Sequence, residues 1–236
     1  MKRLISFCFM VLCAMTLFAQ KDVTTFLGIP VDGTYSAMRK KLIAKGFKPQ
    51  RLGRDEYFSG RFNGEDVQLF IVSNNNKVWR IALFEVVPRT EAQIKIHFNS
   101  LVSQFESNKR YVSLADQRLS DSENLWYGMN IQHINYQAIF YQYTPQVEMD
   151  STIIQKWQEN FVSQYSNDQL RNPQNTVQIH SSTAYYDSMI EQNLQKFQEI
   201  ATKKPVWIQI QESQFGGYML GLYYDNGYNM ANGEDL

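Results

Sequence analysis

From Tyr57 to Glu85 apolar residues return at every second position, and this period of two constrains the chain more than any other feature. Successive side chains of a strand point to opposite faces, so such alternation marks strands with one buried side. The clearest piece covers residues 67–72 and 77–84, with Ser73-Asn74-Asn75-Asn76 between them. Asparagine tolerates the positive φ that a tight connection demands, so the segment reads as a β-hairpin. On its second arm Trp79, Ile81 and Leu83 are expected on one face, and Arg80 and Ala82 on the other.

Helical spacing frames this hairpin on both sides. Ahead of it a short strand over residues 23–29 is closed by Pro30 and the Asp32-Gly33 turn. Thr34 then caps a helix to about Lys45, with Met38, Leu42 and Ile43 on one side and Gly46 placed to end it. After the hairpin, Thr90 and Gln93 form a capping-box pair. The helix they open repeats Ile94, Phe98, Leu101, Val102 and Phe105 and should end near Asn108.

Strand pattern resumes over residues 111–114, 125–131 and 136–143, until Pro145 stops it. A third helix is expected after Asp150, with Ile154, Trp157, Phe161 and Tyr165 as its stripe. A fourth starts at Ser182 or Thr183 and carries Tyr186, Met189, Ile190, Leu194, Phe197 and Ile200. Pro205 marks its end, and a last hairpin over 206–211 and 218–224 turns near Gly216-Gly217.

Helix followed by strand meander, read three times over, means α+β. The expected architecture is a twisted antiparallel sheet of hairpins with about four amphipathic helices packed on one face, the other face partly open to water. Residues 20–236 read as a single domain, with a weakest boundary near Pro145 that would divide it into 20–145 and 146–236.

The first 19 residues have the layout of a secretory signal peptide: Lys2 and Arg3, an apolar run of 15 residues from Leu4 to Phe18, then Ala19 for cleavage. That run is short of the roughly 20 residues a membrane-spanning helix needs. Export to the periplasm or the cell exterior is therefore expected, with no transmembrane helix left after cleavage. Lipidation at Cys13 is disfavoured because Leu12 stands where a small residue belongs. Both cysteines, Cys8 and Cys13, lie in this leader. The exported chain would have no disulfide, no thiolate metal site and no cysteine nucleophile.

Removing Lys2 and Arg3 leaves 21 basic against 23 acidic side chains, so bulk charge attracts no nucleic acid. Aromatic residues make up 14% while charged ones make up only 19%, and amides fill the difference. The three histidines, His97, His133 and His180, form no metal-ligand spacing, so neither a metal nor a cofactor is expected. His97 reads as a half-buried residue at the core edge. No GxSxG nucleophile turn and no glycine-rich phosphate loop occurs. Ser36 and Ser182 read as helix caps, and Glu65, Asp66, Glu85, Asp116 and Glu212 are no more carboxylates than any soluble protein would carry, with Glu65-Asp66 the polar tip of a turn. The oxygen-rich Asp225-Asn226-Gly227-Tyr228-Asn229 fails the EF-hand register and reads as a polar tail. Asp150-Ser151-Thr152 and Asp187-Ser188-Met189 match a short bacterial O-glycosylation pattern only weakly. No enzyme activity is expected, the alternative being a hydrolase whose site is assembled from distant segments.

The segment Phe26-Leu27-Gly28-Ile29-Pro30-Val31-Asp32-Gly33-Thr34, then Lys45-Gly46-Phe47, resembles the opening of a group of secreted proteins from anaerobic Gram-negative gut bacteria. The ending from Tyr224-Asp225-Asn226 to Ala231-Asn232-Gly233-Glu234-Asp235-Leu236 is similar to theirs as well. This resemblance implies export and an unbroken domain, and brings no mechanism with it. At the level of fold alone, helix-then-meander units resemble the β-lactamase-inhibitor-protein and small outer-membrane-assembly lipoprotein folds, which implies protein binding without catalysis.

The strongest functional signal is aromatic. Neighbours in a strand face opposite ways, so one of each adjacent aromatic pair must point away from the helices. Trp126, Tyr141, Tyr143, Trp207, Tyr223 and Tyr224 are the candidate binding residues, among neutral amides suited to protein, peptide or glycan contact.

Overall fold

The computed structural model describes residues 22–142, 155, 195 and 198–230. The leader, Tyr143, His180, both glycosylation-like triplets, the third helix apart from residue 155, and most of the fourth lie outside them. Within them the chain runs β1 (Thr25–Phe26), β2 (Ile29–Pro30), α1 (Tyr35–Ala44), β3 (Lys48–Leu52), β4 (Asp55–Phe62), β5 (Glu65–Asn74) and β6 (Lys77–Glu85). It continues through α2 (Glu91–Ser107), β7 (Tyr111–Ser113), α3 (Leu125–Asn130), β8 (Gln137–Gln142), β9 (Pro205–Glu212) and β10 (Tyr218–Asp225). The class is α+β, built on an eight-stranded antiparallel sheet in the order β3-β4-β5-β6-β10-β9-β8-β7.

That order contains two four-stranded meanders, β3 to β6 and β7 to β10, the second interrupted ahead of its β9–β10 hairpin by helical residues 198–201. Their last strands pair antiparallel, with Leu83 opposite Leu222 and Arg80 opposite Asp225. A helix precedes each meander. The sheet is therefore arranged about the β6–β10 seam, with β3 and β7 as its edges.

Capping and periodicity account for the helices. Thr34 accepts from the Ala37 amide to start α1, so Ser36 lies inside the first turn rather than at the cap. Met38 and Leu42 are buried, whereas Ile43 is 39% exposed, because one residue turns the helix by about 100° and carries Ile43 more than a quarter of a turn past Leu42. Gly46, at φ +95°, closes the helix. In α2 the Thr90–Gln93 capping box forms in both directions, and all five stripe residues are buried. By their contacts α1 lies against β5 and β6, and α2 against β7, β9 and β10.

The buried residues Phe58, Leu69, Leu83, Leu222 and Ile208 stand opposite one another on successive strands and so share a face. They join Met38, Leu42 and the α2 stripe in one core cluster.

Residues 125–131 are not a strand. Asn124 accepts from the Tyr127 amide and starts α3, a six-residue helix. The expected strand over 23–29 is broken by Leu27 and Gly28, both at positive φ, into the small β1–β2 hairpin. This N-terminal segment is tied down by amides: Gln142 accepts from Thr25 N at 2.7 Å and donates to Thr25 O at 2.6 Å. Asn226 donates to Val31 O at 2.8 Å. No helix among the described residues is long and apolar enough to cross a membrane.

Candidate functional site

The face of the sheet opposite the core carries a row of rings. Tyr57 on β4 stacks on Phe70 of β5 with centroids 5.9 Å apart. Phe70 meets Phe84 of β6 edge-on at 5.7 Å, and Phe84 meets Tyr223 of β10 at 5.8 Å. Tyr223 stands opposite Trp207 on β9, and Trp207 opposite Ile139 on β8. All of these side chains are half-buried. Edge-to-face pairs of this kind add about 0.5–1.5 kcal/mol each beyond the area they bury.

A bulge enlarges the row. Val72 pairs with Arg80 and Ser73 with Val78, so Trp79 has no partner on β5. The extra residue takes Trp79 out of the register of Ile81 and Leu83 and sets its ring beside its neighbour. The Arg80 guanidinium lies 4.5 Å from the Trp79 centroid and 4.9 Å from that of Tyr223. It also pairs with both carboxylate oxygens of Asp225, at 2.6 and 2.7 Å.

Burial raises the pKa of Asp225, and the Arg80 bonds and charge only partly offset this. The Trp207 indole N–H is buried without a regular hydrogen-bond partner, but lies near enough to Asp225 to lower its pKa a little further. The Tyr223 hydroxyl accepts from Gln211 at 2.6 Å, and burial is the main cause that raises its pKa.

Of the six candidates, Trp207 and Tyr223 are thus brought together, with Tyr141 half-buried two residues along from Ile139 on the same face. Trp126 is 55% exposed on α3, away from the row. Tyr224 points the other way: it is 3% exposed, packed on Phe26 at 5.0 Å, and its hydroxyl pKa is raised well above the usual value by burial. It is a core residue. Tyr143 lies outside the described residues.

Sequence reasoning missed Tyr57, Phe70, Trp79, Arg80 and Phe84. Phe70 and Phe84 sit at the off-core positions of the same period-two pattern that revealed the hairpin, and that was the signal available.

Several other polar groups that the sequence singled out are occupied structurally. His97 Nε2 lies 2.7 Å from the buried Glu85 carboxylate, which also pairs with Arg89. Arg89 reaches Glu65 at 2.8 Å, Arg118 reaches Asp116 at 3.1 Å, and Asn130 donates to Glu212 at 2.8 Å. Asn229 donates to Asp32 Oδ1 and Val78 O, so the oxygen-rich tail ties the sheet to the N-terminal segment. Among the described residues no group of three or more metal-ligating side chains converges.

Two hollows flank the aromatic row. One of about 660 Å³ lies at the β3–β5 end and is bordered by Lys45, Lys48, Tyr57, Ser59, Arg61 and Gln68, among others. The second, about 530 Å³, lies between α3 and β9, where Asn130, Asn135, Gln209 and Gln211 present amides. No family model, no curated protein and no solved structure matches this chain.

Proposed function

We propose that this chain is an exported, non-enzymatic binding protein whose amphipathic helices close one face of the sheet and leave the other as a contact surface for a protein or peptide. The observation that carries this reading is the continuous row from Tyr57 through Phe70, Phe84 and Tyr223 to Trp207 on the face away from the core. Half-buried aromatics fixed against one another and bordered by Gln68, Gln209 and Gln211 have the composition of an interface centre, where Tyr, Trp and Arg dominate the binding energy. Rings already in contact lose little conformational freedom on association. The apolar leader and the resemblance to secreted proteins support export.

The test compares the wild-type chain with a Tyr57→Ala/Phe70→Ala/Tyr223→Ala variant as bait against the secreted and periplasmic proteins of the producing cell. We expect a partner held by the first and lost by the second, with both folded by circular dichroism. A partner held equally by both would overturn the reading.

A sugar-contacting role is the second reading, favoured by the amide-lined hollow between α3 and β9 and by exposed Trp126, one helical turn before Asn130. Glycan-array binding that disappears in Trp126→Ala would promote it.

A further inference from the structure

Seven of the chain's 23 basic side chains and none of its 23 acidic ones fall in residues 35–54, which comprise α1, β3 and the turns after them. Arg39 is used internally, paired with Glu56 on β4 at 3.1 Å. The other six, Lys40, Lys41, Lys45, Lys48, Arg51 and Arg54, are exposed, and none forms an ion pair with a described residue.

Two structural duties explain part of this charge. Lys48, Pro49 and Arg51 blunt the free edge of β3 against strand addition. Lys41 and Lys45 suit the negative end of the α1 dipole. Neither duty calls for Lys40 or Arg54, and a face built only for solubility would intersperse both signs. Lys40, Lys41 and, by its register with Glu56, Arg51 lie on the core side of the sheet, and the patch meets the aromatic row round the β3 edge, where Lys45, Lys48 and Arg61 border the same hollow as Tyr57, Ser59, Asp66 and Gln68. An aromatic centre with a rim in which cations predominate is the arrangement that steers a partner of opposite charge.

We infer that the partner of the aromatic face is a polypeptide carrying an acidic segment, which lies over the α1–β3 end with its carboxylates on these lysines and arginines. This inference rests on the reading of the face as a protein-contact surface. A polypeptide fits better than a densely charged polyanion, because β4 and β5 place Asp55 and Asp66 among the cations. Spaced carboxylates can avoid those acids, whereas an unbroken run of phosphate or sulfate cannot. The lysines outnumber the arginines four to two among the six, and ammonium groups do not offer the fork that phosphate favours.

The experiment measures binding of poly-L-glutamate and of a random glutamate–tyrosine copolymer to the full chain at low ionic strength. Both polymers should bind, the copolymer more tightly, and added salt should weaken both. Lys45→Glu/Lys48→Glu/Arg51→Glu should reduce binding of both by about tenfold or more. The neutral variant Lys45→Gln/Lys48→Gln/Arg51→Gln guards against misfolding and should show a smaller loss.

Tyr57→Ala/Phe70→Ala should abolish only the copolymer's advantage. If that advantage is missing while the charge effect persists, the aromatic reading fails and the acidic-partner inference loses its support at this face. If poly-L-glutamate does not bind, binds both charge variants as well as wild type, or binds more weakly than heparin or anionic phospholipid vesicles, the inference is overturned.

Discussion

The hydroxyl of Tyr136 occupies the place that a Cβ on Gly128 would need, with the ring's Cζ 2.8 Å from it. Tyr136 is 2% exposed and its hydroxyl donates to Glu123 at 3.2 Å, so the ring cannot swing aside. Alanine is the better helix former by about 1 kcal/mol, but overpacking a filled site costs about 1–3 kcal/mol. Gly128→Ala should therefore destabilise the chain by about 1 kcal/mol in urea unfolding. Adding Tyr136→Phe removes the nearest atom and should restore part of that loss. A stabilised Gly128→Ala would show that α3 does not sit on Tyr136 as described.

The α3 helix was hidden in the sequence for local reasons. Leu125-Trp126-Tyr127 has strand-forming character, and six residues are too few to display a 3.6-residue period. Only the Asn124 cap distinguished helix from strand, and it needed a structure to be recognised. By contrast α2 was legible end to end, because 17 residues repeat the stripe several times behind a capping box. The β6–β10 pairing joins residues about 140 apart and leaves no local trace. In the candidate face, Trp207 and Tyr223 could be found from alternation, but one bulged residue at Trp79 shifts the register without disturbing the pattern on either side.

Arg80 and Asp225 should give a measurable pH signature. Burial raises the folded-state pKa of Asp225 above the ordinary 3.8 despite its partner. The folded state therefore takes up a proton before the unfolded state as pH falls. That contribution is fully present below the unfolded value and is lost as pH rises through the folded one. The stability of wild type relative to Asp225→Asn should thus increase as pH is lowered from neutral to below 3.8, read from melting at each pH. The opposite slope would mean that Arg80 outweighs burial. Arg80→Met, which leaves the carboxylate buried and unpaired, should cost about 3 kcal/mol at neutral pH.

The β5–β6 turn offers a test of backbone conformation alone. Asn75 and Asn76 have φ of 47° and 59°, the left-handed pair a two-residue hairpin requires. Asn-Gly is the preferred sequence there, so Asn76→Gly should be neutral or stabilise by a few tenths of a kcal/mol. Asn76→Val puts a β-branched side chain at positive φ and should cost more than 1 kcal/mol. Equal melting temperatures for the two variants would rule out this turn.

Tyr35 should mark the alkaline limit of the fold. It opens α1, and its hydroxyl donates to Glu56 at 3.0 Å, where Glu56 also receives Arg39. Burial first, then the bond to Glu56 and that carboxylate's charge, push its pKa to about 12, against a smaller pull downward from Arg39. The phenol keeps its proton in the folded state while the unfolded chain loses it near the ordinary 10. The stabilisation is complete below that value and falls away as pH rises toward about 12. Spectrophotometric titration of the folded protein should show a late-ionising tyrosine that Tyr35→Phe removes, and the variant's stability should decline less steeply above pH 10 than wild type's. Tyr223 and Tyr224, whose hydroxyls burial also holds back from ionisation, should keep a late component in both proteins, and an undiminished late amplitude in Tyr35→Phe would overturn the assignment to Tyr35.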